Sequence, residues 1–192
     1  FSSPIEEKEY KKNIGYKMNL KSLIRTIPDY PKQGIIFRDI TTLLYNGEAL
    51  KYIANKFYDR YKDKNINAVA GIEARGFIFG ALLAEKLNIS FVPLRKKGKL
   101  PCKVISEEYD LEYGKDALEI DISSINPGDK VIVIDDLIAT GGTAIAAGNL
   151  IKKLKGKVYE YCFLINLPEL NGEKKLIDKG NKIFSLITFS GK

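Results

Sequence analysis

The feature that most constrains the fold is segment 131–143, which reads VIVIDDLIATGGT. Its first four residues are apolar and β-branched, which is typical of a strand buried on both faces of a parallel sheet. Two carboxylates, Asp135 and Asp136, follow where this strand is expected to end, and the turn 140–143 comes next. The apolar residues beyond the turn recur at helical spacing, at Ala144, Ala147, Ile151 and Leu154. This order of strand, acidic pair, glycine turn and helix predicts a βα unit of an α/β protein.

The glycine turn is suited to binding a phosphate. Gly141 and Gly142 let the backbone come close to an anion, and successive N–H groups at a helix N-terminus point toward it. The flanking Thr140 and Thr143 add hydroxyl donors. Carboxylates repel phosphate, so the acidic pair suits a group attached to it, such as ribose hydroxyls or a magnesium ion. The segment therefore predicts a sugar-phosphate site, whereas two glycines alone would indicate only a tight turn.

Two better-known phosphate-binding sequences fit this segment poorly. A P-loop requires a lysine directly after its last glycine, and here Gly142 is followed by Thr143. A dinucleotide-binding fingerprint places its acidic residue about 20 positions after the glycines. In this chain Asp135 and Asp136 precede the glycines instead.

Segment 131–143 resembles the phosphoribosyl pyrophosphate signature of the type I phosphoribosyltransferases. Four further segments are similar to motifs of the adenine phosphoribosyltransferases within that family. In chain order they are PKQGIIFRDI (31–40), AGIEARGF (70–77), RKKGKLP (95–101) and YDLEYGK (109–115). Five motifs in the family's order are a specific signal, and the resemblance covers roughly residues 19–189.

The resemblance implies an α/β fold in which helices flank a parallel sheet, with a mobile flap over the C-terminal strand ends. It implies an enzyme of purine salvage that transfers the 5-phosphoribosyl group from phosphoribosyl pyrophosphate to adenine, giving AMP and pyrophosphate. Mg²⁺ is the implied cofactor and is carried by the substrate, so no protein ligand for the metal is assigned. A homodimer in the cytoplasm, without nucleic acid or membrane partners, is also expected.

The resemblance assigns roles to individual residues. It assigns the 5′-phosphate to Ala139, Thr140, Gly141, Gly142 and Thr143, and the ribose hydroxyls to Asp135 and Asp136. It assigns pyrophosphate to Arg75, and adenine to Ile36, Phe37 and Arg38. Arg95 opens a basic cluster directly after a predicted strand, which makes it a further candidate for binding pyrophosphate. Glu112 is the implied catalytic residue, and Tyr113 of the flap is expected to pack beside the substrate. The Glu73–Ala74 peptide bond is implied to be cis.

From the residues alone, several of these assignments stay open. Phe37 could stack on a purine, but an apolar ring in an extended segment is more often part of the core. Arg75 could hold pyrophosphate with its planar fork or lie on the surface of a βα turn. Glu112 is selected only by the family motif. The other acids near it are Glu107, Glu108 and Asp110.

The composition limits the classes of protein and of catalytic site to which this chain can belong. A chain of 192 residues, 45% hydrophobic and 29% charged, fits one globular domain, which is expected at 19–192 after a flexible extension at 1–18. The absence of histidine excludes His-based triads, so proton transfer falls to a carboxylate, Lys, Tyr, Cys or water.

Two cysteines without CxxC spacing favour a reducing compartment. No apolar run approaches the about 20 residues of a membrane span. The net charge of +7 suits a polyanion, and a solvated lysine-rich surface explains most of it.

Apolar spacing predicts alternating strands and helices. Helices are expected at 20–27, ending before Pro28, at 47–62 and at 77–87, and an extended segment at 35–37. Strands are expected at 68–71, 90–94, 131–134, 157–166 and 183–188. Segment 95–121 is rich in charge, glycine and tyrosine, and is expected to form a mobile hairpin over the site rather than a core element.

Two other functions are compatible with the same fold. The first is transfer to another nucleobase; a 6-oxo purine would need a donor facing O6, typically a lysine, and segment 36–38 contains none. The second is a non-catalytic regulator that senses phosphoribosyl pyrophosphate and binds nucleic acid. The presence of Glu112 and the absence of an added DNA-binding module argue against it.

Overall fold

The computed structural model describes residues 17–110 and 114–190. They fall into two compact units, the first ending at Tyr52 and the second beginning at Ile53. The predicted boundary between an extension and a domain at residue 19 stays a prediction. None of the described helices is long and apolar enough to cross a membrane.

The first unit contains a two-stranded antiparallel sheet. A 3-10 helix, Leu20–Leu23, precedes strand β1, Arg25–Ile27, which pairs with β2, Phe37–Asp39. Helix α1, Thr41–Leu44, follows, and α2, Gly47–Tyr61, begins in this unit and ends in the second. The predicted helix at 47–62 is confirmed. The predicted helix at 20–27 is wrong beyond residue 23, because the backbone of β1 pairs with β2 instead of closing helical turns.

The second unit is built on a seven-stranded sheet. The strands in chain order are β3 Ala68–Ile72, β4 Ser90–Lys96, β5 Val104–Asp110, β6 Lys115–Asp121, β7 Lys130–Ile138, β8 Lys157–Asn166 and β9 Ile183–Thr188. Their order across the sheet is β5-β6-β4-β3-β7-β8-β9. The pairs among β4, β3, β7, β8 and β9 are parallel, whereas β6 pairs antiparallel with both β4 and β5. The predicted α/β fold with a parallel sheet is confirmed.

Helices cover both faces of this sheet. Besides the last part of α2, the unit contains α3 Gly76–Leu87, α4 Gly142–Lys153 and α5 Gly172–Asp178. Neighbouring residues of a strand point to opposite faces: Ala70 and Ile72 of β3 belong to the core cluster around α4. Gly71 lies between them on the other face, against Phe91 and near the start of α3.

Strand β7 is longer than its apolar run predicts. Its parallel pairing with β8 continues to Ile138↔Asn166, so the strand ends at Ile138 rather than at residue 134. The expectation that Asp135 and Asp136 follow the strand is therefore wrong, since both lie inside it. Their backbone is fixed by the sheet, which holds the two side chains more rigidly than a loop would.

The predicted hairpin is present, but part of it belongs to the core, and its mobility stays a prediction. Strands β5 and β6 pair along their whole length, and β6 extends the sheet beside β4. Leu118 and Ile120 of β6 are fully buried, so the expectation that segment 95–121 lies outside the core is wrong there. On β5, the Glu107 carboxylate accepts a hydrogen bond from Asn149 of α4 at 2.9 Å and forms an ion pair with Lys153.

A buried carboxylate ties α2 to β8. Glu160 accepts hydrogen bonds from Arg60 Nε at 2.6 Å, Arg60 Nη2 at 2.7 Å and Tyr61 Oη at 2.7 Å. The Arg60 guanidinium also lies 4.0 Å from the ring centre of Phe184 on β9. Burial raises the pKa of Tyr61, with the nearby Cys162 and Glu160 adding to it. The phenol therefore donates to the carboxylate at any physiological pH.

Replacing Glu160 by Gln is expected to lower the free energy of unfolding by about 2 kcal/mol, because the buried carboxylate that accepts from Arg60 and Tyr61 loses its charge. Urea unfolding measures this change. The matched control is Glu108→Gln, because Glu108 forms an exposed pair with Lys115 at 3.6 Å, and such pairs contribute about 0–1 kcal/mol. Equal effects of the two substitutions would contradict a stabilising role for the buried Glu160 carboxylate.

Candidate active site

Two βα turns meet at the C-terminal edge of the parallel sheet. Neighbouring strands β3 and β7 each lead through a short turn into a helix, α3 and α4 respectively. Ligands of open α/β sheets bind at this edge. A cleft of about 150 Å³ lies there. It is lined by Arg75, Asp135, Asp136, Leu137, Ile138, Ala139, Thr140, Gly141, Thr143, Ala144 and Phe163.

The phosphate loop, residues 139–143, has the backbone that its glycines permit. Gly141 precedes the first turn of α4 with φ +83°, in the left-handed region, which L-residues with side chains adopt only at a cost. A Cβ at Gly141 would lie 3.0 Å from the Cα of Gly172, at the start of α5. The first N–H groups of a helix have no partner within the helix, so this loop presents donors at the cleft.

Arg75 and the two aspartates form one charged cluster. Arg75 Nε lies 2.7 Å from Asp136 Oδ2, and the Asp136 side chain is 4% exposed. The backbone N–H of Asp136 donates to Asp135 Oδ1 at 2.8 Å. Gly76 allows this close approach of the β3 turn to β7, since a Cβ there would lie 2.9 Å from Asp135 Oδ1. The turn after β3 thus brings one cation, and the last part of β7 two carboxylates, to the same cleft.

The two aspartates of this cluster take up a proton more readily than isolated carboxylates do. Burial raises the pKa of Asp135, and the adjacent charge of Asp136 raises it further. Burial also raises the pKa of Asp136, while Arg75 acts in the opposite direction. Two carboxylates this close are stabilised by groups that donate hydrogen bonds to them. A ribose diol supplies two such donors without adding charge.

Comparisons with known proteins identify the family of this chain. The chain matches the phosphoribosyl transferase domain model over residues 39–189. The adenine phosphoribosyltransferase of Chlorobium phaeovibrioides is 51% identical over 176 residues, which are 91% of this chain and 99% of that protein. The adenine phosphoribosyltransferase of Yersinia enterocolitica is 55% identical over 172 residues, or 90% of this chain and 92% of that protein. This chain belongs to the adenine phosphoribosyltransferase family.

Solved structures of adenine phosphoribosyltransferases share its fold. The enzyme of Thermoanaerobacter pseudethanolicus is 46% identical, with a TM-score of 0.84 over 88% of this chain and 98% of that one. The enzyme of Saccharomyces cerevisiae, solved with adenine and an imino-altritol bisphosphate, is 37% identical, with a TM-score of 0.82 over 88% of this chain and 96% of that one.

Most of the predicted phosphate and ribose residues line the cleft. Arg75, both aspartates and four of the five loop residues do so, and Gly142 is the loop residue that does not. The carbonyl oxygen of Asp110, at the end of β5, lies 3.4 Å from where a Cβ of Gly142 would be. Glu112 and Tyr113 lie outside the described residues. The ligands assigned to all these residues stay predictions.

Arg95 is not among the residues that line the cleft, and it has a partner that the sequence reasoning missed. Its Nη2 lies 3.2 Å from Glu73 Oε1, and the Lys96 N–H donates to Glu73 Oε2 at 2.8 Å. Partial burial acts to raise the pKa of Glu73, but these two donors bring it below its usual value. The implied cis peptide between Glu73 and Ala74 is confirmed.

The predicted adenine residues belong to the first unit. Phe37 opens β2 and packs edge-on against Tyr30, with 5.2 Å between the ring centres. Arg38 Nη1 donates to Thr26 Oγ1 of β1 at 2.7 Å. Ile36 and Phe37 are both half-buried, so neither is committed to the interior of the protein.

Proposed function

We propose that this chain transfers the 5-phosphoribosyl group from phosphoribosyl pyrophosphate to adenine, giving AMP and pyrophosphate in purine salvage. One observation carries the proposal: the phosphate loop and the acidic pair of β7 share one cleft with Arg75. Donors for a phosphate thus lie beside acceptors for a sugar. The names of the relatives supply the base and the reaction.

In the proposed mechanism the protein positions its substrates and stabilises charge. The loop N–H groups and the Thr140 and Thr143 hydroxyls bind the 5′-phosphate, and Asp135 with Asp136 binds the ribose hydroxyls. The transition state resembles a ribosyl oxocarbenium ion, so the nearby carboxylates favour the developing positive charge at the sugar. Arg75 reaches the leaving pyrophosphate from an exposed position, as its side chain is 42% exposed. Holding both reactants in line accounts for much of the rate enhancement over the uncatalysed reaction.

Mg²⁺ is proposed to arrive on the substrate's pyrophosphate. Among residues 17–110 and 114–190, no group of three or more His, Cys, Asp or Glu side chains is arranged to hold a metal ion. The ion would neutralise negative charge on the leaving group. Arg95, held by Glu73 beside the same sheet edge, is proposed to add positive charge toward the pyrophosphate.

Glu112 is proposed to exchange a proton with adenine as the glycosidic bond forms, and Tyr113 to pack beside the substrate. The chain has no histidine, so a carboxylate is the most suitable group for this task. A homodimer and a cytoplasmic location are further proposals from family membership. Cys102 and Cys162 are both free thiols, which is compatible with a reducing compartment.

A base-competition assay tests the proposed function. Purified protein is mixed with phosphoribosyl pyrophosphate, Mg²⁺ and one of adenine, hypoxanthine, guanine or uracil, and nucleotide formation is followed by chromatography. We expect AMP from adenine and little product from the other bases. Preferential formation of another nucleotide would support a transferase for a different base. Binding of phosphoribosyl pyrophosphate without turnover would support a non-catalytic sensor.

Phe37 is proposed to stack on adenine, with the backbone of Ile36 and Arg38 at the edge of the base. Replacing Phe37 by Ala is expected to raise KM for adenine by about 5- to 150-fold, taking roughly 1–3 kcal/mol for base stacking on an aromatic side chain. The KM for phosphoribosyl pyrophosphate should change much less. Initial-rate kinetics with each substrate varied in turn measure both values. Equal increases in the two KM values, or an unfolded protein, would favour a core role for Phe37.

A further inference from the structure

The phosphate loop rests on a segment that lies about 30 positions later in the chain. The Leu167 N–H donates to the Ile138 carbonyl at 3.1 Å, and the Gly172 N–H donates to the Ala139 carbonyl at 3.0 Å. A Cβ at Gly172 would collide with the Ala139 carbonyl and lie 2.8 Å from the Gly141 nitrogen. The two backbones are thus in direct contact, which only a glycine at position 172 allows.

A lysine of the same segment contacts the loop. Lys175 Nζ donates to the Thr140 carbonyl oxygen at 3.1 Å. Lys175 is on α5, which is held in place by Leu176, fully buried in the core, and by a hydrogen bond from Asn166 Nδ2 to Glu173. The ammonium group therefore approaches the loop from a fixed helix, although its side chain is exposed.

Orienting the Thr140 carbonyl also orients a donor. In a trans peptide the C=O and the next N–H point in opposite directions. A hydrogen bond at the Thr140 oxygen therefore sets the direction of the Gly141 N–H. The glycine at 141 does little to restrict this peptide by itself, because it tolerates many backbone conformations. The positive charge of Lys175 also lies within a few ångströms of a loop that is proposed to bind an anion, where it lowers the energy of the bound phosphate.

We propose that Lys175 is a positioning residue for the 5′-phosphate, which holds the Thr140–Gly141 peptide and adds positive charge behind the phosphate loop. This inference rests on the proposed function of the loop. It adds a residue outside the five sequence motifs.

The neighbouring lysine provides a matched control. Lys174 precedes Lys175 on α5, but its ammonium group pairs with Asp178 at 2.7 Å, one turn along the same helix. Both lysines are exposed and both belong to the same short helix. Replacing either by Met removes one positive charge and keeps most of the length of the side chain. Among the contacts described for these two lysines, only that of Lys175 reaches the loop.

The test measures binding of ribose 5-phosphate, with adenosine as a ligand that lacks the phosphate, by calorimetric titration. We expect Lys175→Met to raise the Kd for ribose 5-phosphate by about 3- to 10-fold, the size of one charge-assisted hydrogen bond near solvent. The Kd for adenosine should not change. Lys175→Arg should restore most of the affinity, and Lys174→Met should resemble the wild type. The loss of affinity for ribose 5-phosphate in Lys175→Met should also be smaller at high ionic strength, because salt screens exposed charges.

Three results of the titrations would overturn the inference. They are an unchanged Kd for ribose 5-phosphate in Lys175→Met, a parallel loss of affinity for adenosine, and an equal loss in Lys174→Met. The base-competition assay is scored separately with the wild-type protein. A wild type that forms AMP while Lys175→Met binds normally refutes only the role of Lys175. A wild type that forms no AMP while Lys175→Met binds ribose 5-phosphate more weakly refutes only the proposed reaction.

Discussion

Replacing Glu112 by Gln is expected to lower kcat by about 10²–10⁴-fold, the usual contribution of general acid–base catalysis. The amide keeps the size and hydrogen-bonding capacity of the side chain but does not titrate. The dissociation constants of both substrates should change far less, because the lost interaction is made mainly in the transition state. Rapid-quench measurements of a single turnover give the rate of the chemical step directly.

Three acidic residues near Glu112 in the chain, Glu107, Glu108 and Asp110, supply matched controls. The Glu107 carboxylate is engaged by Lys153 and Asn149, which lower its pKa and make it a poor proton donor at neutral pH. Glu108 is exposed and pairs with Lys115. Glu107→Gln, Glu108→Gln and Asp110→Asn should therefore retain kcat within a few-fold. A Glu112→Gln enzyme with the single-turnover rate of the wild type would refute its assignment and leave positioning and electrostatics as the whole mechanism.

Replacing Gly141 by Val is expected to weaken binding of phosphoribosyl pyrophosphate by about 100-fold or more, with the protein still folded. A β-branched residue is strained at φ +83°, and its Cβ would lie 3.0–3.1 Å from the Gly172 backbone. The phosphate loop must then shift, and its N–H groups no longer converge on the phosphate. Calorimetric titration with phosphoribosyl pyrophosphate and Mg²⁺ measures the affinity, and circular dichroism reports the fold.

Gly128 is the matched control for backbone strain. It has φ +89°, and nothing lies within 4 Å of where its Cβ would be. Gly128→Val should therefore carry a similar conformational cost in the folded protein but leave the affinity for phosphoribosyl pyrophosphate unchanged. Wild-type affinity in Gly141→Val would contradict the assignment of the loop, and an equal loss in both variants would attribute the effect to stability alone.

The parts of the site that are local in sequence could be predicted from it. The acidic pair and the phosphate loop lie within the nine consecutive residues 135–143, and the structure places them in one cleft. The end of β7 was missed, because the strand continues through polar residues that pair with β8, and apolar periodicity does not report such pairing. The buried part of β6 was missed for a related reason. Its apolar residues are interrupted by Glu119, which is itself buried and accepts a hydrogen bond from the Gly98 N–H.

Contacts between distant segments were beyond the reach of sequence patterns. The pairing of Glu73 with Arg95 follows from the register of β3 and β4, in which Ile72 lies opposite Leu94; each charged residue comes directly after one of these two. A prediction of strand register would have found it. No pattern in the sequence indicates the contact of Lys175 with Thr140, because it depends on where a short helix packs after β8.

The most direct test of the account is a crystal structure of the protein with ribose 5-phosphate. The phosphate is predicted to lie against the backbone N–H groups of residues 139–143, with the ribose hydroxyls donating to Asp135 and Asp136. Arg75 should remain beside Asp136, and the Thr140 carbonyl should still accept from Lys175. A phosphate bound elsewhere, or one in the loop with the sugar turned away from both aspartates, would contradict the central claim that this cleft binds a sugar phosphate.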